Sequence, residues 1–393
     1  MNEKTQAAPD IAALRRELPV LEKVVYLNTG TAGIAAAPVL RRLWEEVALF
    51  ETEGEVRYHE MQERMDAGRA CVATLVGAEA DEIAFTRNAT DGVNLVAWGV
   101  QWREGDEVII SDQEHPAMNH PWFWLQACGG PRVKMFAIEP DPEATLRNVR
   151  ALITPRTRLI ASSHVSCQTG IRVPGRELCA LAAEHGILSF LDGAQAVGQF
   201  PVDVKALGCD FYASNGHKWL HGPKGTGFLY LRRDRLDEVR PTHVGSGSFA
   251  RPVDLDNIRL TPSAQRYEYG TRGYGVHAAL PAAVGYLAGL GWDWLEQRLA
   301  YLSNYLKVRL PEVPTLTLLT PRAWELSSAL VSFSVEGKGS QEMADYLWKA
   351  ARIRSRTFPD KAILRISTAY FNTEAELDLL LATLRQMVGA SVR

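Results

Sequence analysis

Leu191-Asp192-Gly193-Ala194-Gln195 and, one strand later, Ser214-Asn215-Gly216-His217-Lys218-Trp219 are the two stretches whose reading decides the fold. The first closes the apolar run Ile187–Leu191, and each group follows a predicted strand. Neighbouring parallel strands bring Asp192 and Lys218 to one edge of a sheet, where open α/β folds place their ligands. A carboxylate and an amine meeting there form a structural ion pair or a reactive centre, and on these two residues alone both readings stand.

Working outward, the chain from about Val24 to Tyr230 alternates short apolar runs with amphipathic segments, the pattern of βα units on a mostly parallel sheet. Val108–Ile110, Leu159–Ala161 and Ile187–Leu191 read as strands covered on both faces. Polar residues follow each of them: Asp112 to His115, Ser162 to His164, Asp192 to Gln195. Met61 to Gly77 and Glu177 to His185 read as helices with glycine stops. The stretch from Pro241 to Pro262 has no period and is rich in Gly, Ser and Pro, which predicts a long loop. Beyond Thr271 the texture changes. Helices are expected at Ala278–Leu290, Trp292–Leu310 and Glu374–Met387, and a strand at Leu330–Val335. The expected division is a large domain over 24–262 and a smaller α+β domain made of 1–23 and 263–393.

The 393 residues are 46% hydrophobic and 23% charged, which supports large cores and excludes global disorder. Acidic residues number 46 and basic ones 43, so no broad basic field exists to hold nucleic acid or an anionic membrane. Five cysteines form no closely spaced set, and no apolar run approaches the length of about 18 residues that a membrane span requires. The chain reads as a reduced, cytoplasmic protein. His217 and His221 have i, i+4 spacing, but Lys218 stands where a zinc protease carries glutamate, and no metal is expected.

Four further groups could carry chemistry. Thr86-Arg87-Asn88-Ala89-Thr90-Asp91-Gly92-Val93 opens a predicted helix after a strand, so Ala89 and Thr90 offer N–H groups and a hydroxyl to a phosphate, or form an ordinary N-cap. Glu114-His115-Pro116 puts an aromatic ring at another strand end. Tyr269-Gly270-Thr271-Arg272-Gly273 adds a glycine-flanked hydroxyl, and Leu364-Arg365-Ile366-Ser367 places an arginine inside an apolar run, where it needs an anion.

Assembled in order from Tyr26-Leu27-Asn28-Thr29-Gly30 to Asn372-Thr373-Glu374, these parts resemble the class V aminotransferase group of fold type I pyridoxal-phosphate (PLP) enzymes. Its motif Gly216-His217-Lys218 followed by Gly222-Pro223-Lys224-Gly225 is the most specific element. The group includes cysteine desulfurases, cyst(e)ine C–S lyases and isopenicillin N epimerase-like proteins. The resemblance implies that Lys218 binds the cofactor aldehyde and later serves as base. It assigns Asp192 to the pyridine nitrogen, Gln195 to the phenolic oxygen and His115 to the ring face. Ala89, Thr90, Ser214 and His217 are assigned to the phosphate, with Thr271 reaching the phosphate of a neighbouring subunit in a homodimer with shared active sites. Arg365 would clamp the substrate α-carboxylate, with Asn28 nearby.

The reaction is narrowed by what precedes Arg365. Desulfurases of the group carry a thiolate in that loop, whereas Arg354-Ser355-Arg356-Thr357-Phe358-Pro359-Asp360 has none, and the last cysteine is Cys209. Arg356 stands there instead, as in the C–S lyases, or as one residue of a solvated face with Arg352 and Arg354. The expected reaction is β-elimination from cysteine, cystine or a cysteine conjugate. Epimerisation, desulfuration and transamination are the enzymatic alternatives, and a catalytically silent binding protein is the non-enzymatic one.

Overall fold

The structure, a computed structural model, describes residues 8–390. Seven strands form the larger sheet: β1 (Ile83–Thr86), β2 (Glu107–Ser111), β3 (Arg132–Phe136), β4 (Thr157–Ser163), β5 (Leu188–Asp192), β6 (Phe211–Asn215) and β7 (Gly227–Leu231), in the order β1-β7-β6-β5-β4-β2-β3. Strands β2 to β6 run parallel, while β7 is antiparallel to both β6 and β1. The carboxyl ends of β1, β2, β4, β5 and β6 therefore share one edge.

Alternation along the strands feeds two cores. Val108 and Ile110 enter one with Leu159, Phe190 and Phe211, while Ile109 enters the other with Ile160, Leu191 and Tyr212. Helices cover both faces. Val93 and Val96 of α3 (Ala89–Gly99) and Trp122 of α4 (Pro116–Ala127) close the first core. Val72 and Val76 of α2 (Tyr58–Val76) and Leu178 of α5 (Gly175–Glu184) close the second, with α1 (Ala37–Glu53) packed nearby. Truncating one such fully buried side chain to alanine costs about 2–5 kcal/mol.

The second sheet is antiparallel: β8 (Leu316–Leu318), β9 (Leu330–Val335), β10 (Arg356–Phe358) and β11 (Ile363–Ser367), ordered β10-β11-β9-β8. It shares a third core with α8 (Ser340–Ala351) and α9 (Glu374–Ala390), built around Val331, Phe333, Leu347, Leu364 and Leu380. The packing boundary falls later than the change of sequence texture. Leu280, Val284 and Leu287 of α6 (Leu280–Leu290), with Leu295 and Leu299 of α7 (Trp292–Arg309), join the core of the larger sheet, as do Leu14, Leu18 and Leu21. Only from Leu302 onward does α7 enter the third core. The texture marks where βα alternation stops, not where the core is divided.

One buried side chain ties the two parts together. The Gln199 amide donates to the Gln195 carbonyl and accepts the Ala329 N–H at 2.7 Å, just before β9.

Candidate active site

The carboxyl edge of the larger sheet borders a cavity of about 260 Å³. Seven residues expected from the sequence line it: Ala89, Thr90, His115, Asp192, Gln195, His217 and Lys218. Asp192 ends β5. Its neighbour must be glycine, because a Cβ at Gly193 would fall 2.1 Å from the Tyr212 ring while the Gly193 N–H bonds the Ala213 carbonyl at 2.7 Å. Lys218 follows β6 in a turn pressed against Gly33, whose N–H donates to the His217 carbonyl at 2.7 Å; a Cβ there would meet the Lys218 carbonyl at 2.1 Å.

Burial pushes the Asp192 carboxyl up and the Lys218 amine down, and each partly offsets the other's shift through its charge. One Asp192 oxygen accepts the Ala194 N–H at 2.8 Å, and the other has no donor among the described residues. His115 caps α4. Its Nδ1 accepts the Ala117 N–H at 3.0 Å, which assigns the ring proton to Nε2. Burial, then the Lys218 charge, lowers its pKa to about 4, so the ring is neutral at physiological pH.

An anion would find the N-terminus of α3, where Ala89 and Thr90 follow the Asn88 cap, and the unpartnered buried Nδ1 of His217. The Gln195 amide already donates to the Gly30 carbonyl at 2.7 Å and accepts from Trp219 Nε1 at 2.8 Å, leaving one N–H to spend.

Five sequence-predicted residues lie outside this lining. The Ser214 hydroxyl donates to the Gly193 carbonyl at 3.1 Å, and Asn215, at the strand end, lines the cavity. Thr271 sits in a separate pocket with Arg87 and Tyr269. Asn28 accepts the Thr31 hydroxyl at 2.8 Å, and Thr31 in turn accepts Arg365 Nη2 at 3.0 Å. Arg365 is 2% exposed; its Nη1 donates to the Cys167 carbonyl at 2.6 Å and its Nε has no partner among the described residues. Burial without an acid lowers its pKa to about 10. Arg356, on β10, pairs in register with Arg365 and is exposed.

Eight further lining residues were not among the expected site residues, and three of them, Thr31, Asn215 and Cys167, bear on the chemistry. Asn215 ends a strand and Cys167 follows one, so position alone was a usable signal. Thr31 enters from the N-terminal crossing and gave none.

An open carboxylate oxygen, a neutral aromatic ring, a desolvated amine and an anion-receptive helix end in one cavity fit an aldehyde-bearing, phosphorylated pyridine. The comparisons agree. Residues 25–380 match the aminotransferase class-V family model. The chain is 34% identical to isopenicillin N epimerase of Streptomyces clavuligerus over 93% of its own length and 95% of that protein's. It is 32% identical to cysteine desulfurase of Escherichia coli O8 (strain IAI1), covering 95% and 97%. Among solved structures, C-DES with glycine covalently linked to the PLP cofactor superposes with a TM-score of 0.87 at 29% identity, covering 96% of this chain and 99% of that one. The cystine C–S lyase C-DES in complex with its product cysteine persulfide gives 0.86 at 29%, covering 94% and 99%. The fold and site are those of a PLP-dependent enzyme of fold type I. The chain belongs to the class V aminotransferase family.

Proposed function

We propose that this enzyme is a C–S lyase acting on cysteine, cystine or a cysteine conjugate. The bound cofactor supplies the electron sink for charge released at Cα. Arg365, already oriented by Cys167 and Thr31, takes the α-carboxylate. The Lys218 amine, its pKa lowered by burial, removes the Cα proton. Asp192 holds the pyridine nitrogen in its cationic form, and His115 covers the ring. Sulfur departs from Cβ as thiolate or persulfide, and water completes the conversion of the remainder to pyruvate and ammonia. The observation that carries this reading is the segment Arg354–Asp360, which leads to Arg365 without a cysteine to accept sulfur. Incubation with L-cystine tests it: pyruvate and persulfide are expected, and alanine without pyruvate would overturn it.

The identity to isopenicillin N epimerase favours a second reading, inversion at Cα with no loss of sulfur. Solvent deuterium at Cα in a recovered, inverted amino acid distinguishes the two.

The proposed active unit is a homodimer with Thr271 serving the partner's phosphate site. Its support is the position of Thr271 outside its own chain's cavity, together with apolar side chains left in solvent: Trp44 at 69%, Leu255 at 94% and Ile258 at 59% exposure. Five cysteines without a disulfide suit a reducing, cytoplasmic setting.

A further inference from the structure

Cys167 touches both ends of the candidate substrate site. Its backbone carbonyl accepts Arg365 Nη1 at 2.6 Å, the residue lines the same cavity as Lys218 and Asp192, and its thiol lies within electrostatic reach of Arg365, Lys218 and Asp192. The turn that carries it is fixed on every side. The Ser166 and Thr169 hydroxyls hold Gln113 Oε1 at 2.8 and 2.6 Å, the Thr320 hydroxyl donates to the Thr169 carbonyl at 2.5 Å, and the Gln168 amide donates to the Glu114 carbonyl at 3.2 Å. Gly170 closes the turn with a left-handed φ of 73°, and a Cβ there would strike the Leu330 carbonyl at 2.3 Å. The residue cannot swing away to make room. Its Sγ has no hydrogen-bond partner among the described residues, and neither has the buried Arg365 Nε.

We infer that Cys167 is a substrate-positioning residue whose carbonyl orients the carboxylate-binding arginine while its thiol packs against the α-carbon region of an amino acid held between Arg365 and Lys218. This rests on the PLP and carboxylate roles proposed above. Burial raises the thiol to about 11, and the neighbouring Arg365 and Lys218 charges only moderate that rise. The side chain is therefore an uncharged packing group at neutral pH. In a cavity of about 260 Å³, its size helps decide what enters.

Two measurements on the full chain test this. In the first, cofactor-stripped and PLP-loaded protein are treated with methyl methanethiosulfonate and the modified cysteines are mapped by peptide mass. Loading should slow modification of Cys167 by about tenfold or more while leaving the exposed Cys128 unchanged. Equal rates at Cys167 would overturn the inference.

In the second, glycine is titrated into loaded wild type, Cys167→Ser and Cys167→Met, reading the change in the visible cofactor band. Cys167→Ser should bind like wild type, and Cys167→Met should weaken glycine by about tenfold or more, the scale of overpacking a filled site. An intact band with unchanged glycine affinity in Cys167→Met would overturn the inference while the cofactor reading survives. A wild type that forms no band with PLP would overturn both. Should Cys167→Met fail to fold, the labelling of the native chain decides alone.

Discussion

Arg356 and Arg365 stand directly opposite one another on β10 and β11, with their guanidinium carbons 5.7 and 5.6 Å from the same Phe358 ring. Neither makes an ion pair among the described residues. Two cations flank one aromatic ring, one of them buried. Such an arrangement is costly in the free protein, and a carboxylate bound beside it would offset that cost.

The first prediction follows from that cost. Arg365→Met should lower kcat/KM by about 10²–10³, the loss of one partner of a buried charged contact. Its Tm should stay level or rise, because an unpaired buried cation has been removed. Arg356→Ala, at an exposed position, should change kcat/KM by less than about tenfold. Steady-state kinetics and thermal melts on the three proteins check all of this.

Lys218→Ala should abolish the visible band of the loaded protein, and borohydride reduction of wild type should fix a pyridoxyl mass on Lys218. Asp192→Asn should keep the lysine-bound cofactor but lower kcat by at least about 10², since the ring then loses its electrostatic partner. Absorption spectra and peptide mass mapping separate the two effects.

Glu114 should make stability fall as pH rises. It is fully buried, accepts from the Ser111 and Ser163 hydroxyls and from the Ser163 N–H, and pairs with no cation among the described residues. Burial is the main cause of its rise to about 7. A folded pKa above the unfolded one contributes stability that is full below about pH 4.5 and lost as pH climbs through 7. Glu114→Gln keeps the Ser163 N–H bond and lets the Ser163 hydroxyl turn to accept. Urea denaturation should find it more stable than wild type at pH 8, by up to about 3 kcal/mol, with the gap closing by pH 5.

The opposite slope belongs to His164 and His221. His164 Nδ1 meets the Tyr212 hydroxyl at 3.0 Å and His221 Nδ1 meets the Ile34 carbonyl at 3.0 Å. Burial depresses them to about 3 and about 4. The unfolded chain takes up protons below about pH 6.5 where the folded one does not, so stability should fall from there downward, approaching about 1.4 kcal/mol per pH unit for each histidine. His164→Gln should flatten that limb in a pH series of denaturation curves.

Glu268 organises the segment bearing Thr271. It pairs with the buried Arg69, accepts the Phe85 N–H at 2.7 Å and reaches Arg272 at 3.1 Å. Glu268→Ala should cost about 3–5 kcal/mol by stranding Arg69. Glu268→Gln should cost less and still raise the Kd for PLP, measured by fluorescence quenching, if Thr271 serves the partner's site.

Asp192, His115, His217 and Lys218 were legible because strand ends in a parallel sheet converge by topology alone. Which of Ser214 and Asn215 lines the cavity was not, because one residue of register decides whether a side chain faces the cavity or the interior, and the sequence offers two polar neighbours there. Cys167 was hidden for a related reason: it lies far from Arg365 in sequence, and only the fold brings its unreactive thiol to the same cavity, from the turn after β4. The division of the helices from 274 to 309 between cores was equally hidden, since an apolar helix does not announce which layer it will cover.

Gln199 gives the molecule a fixed gauge. Because a single amide spans from the carbonyl of Gln195 to the N–H of Ala329, the cavity-lining segment at Gln195 and the chain leading into β9, the strand beside β11, are tied together in the free protein. Parting them would leave two interior amide groups dry at once. The spacing at this contact is therefore a property of the resting scaffold and needs no ligand to establish it.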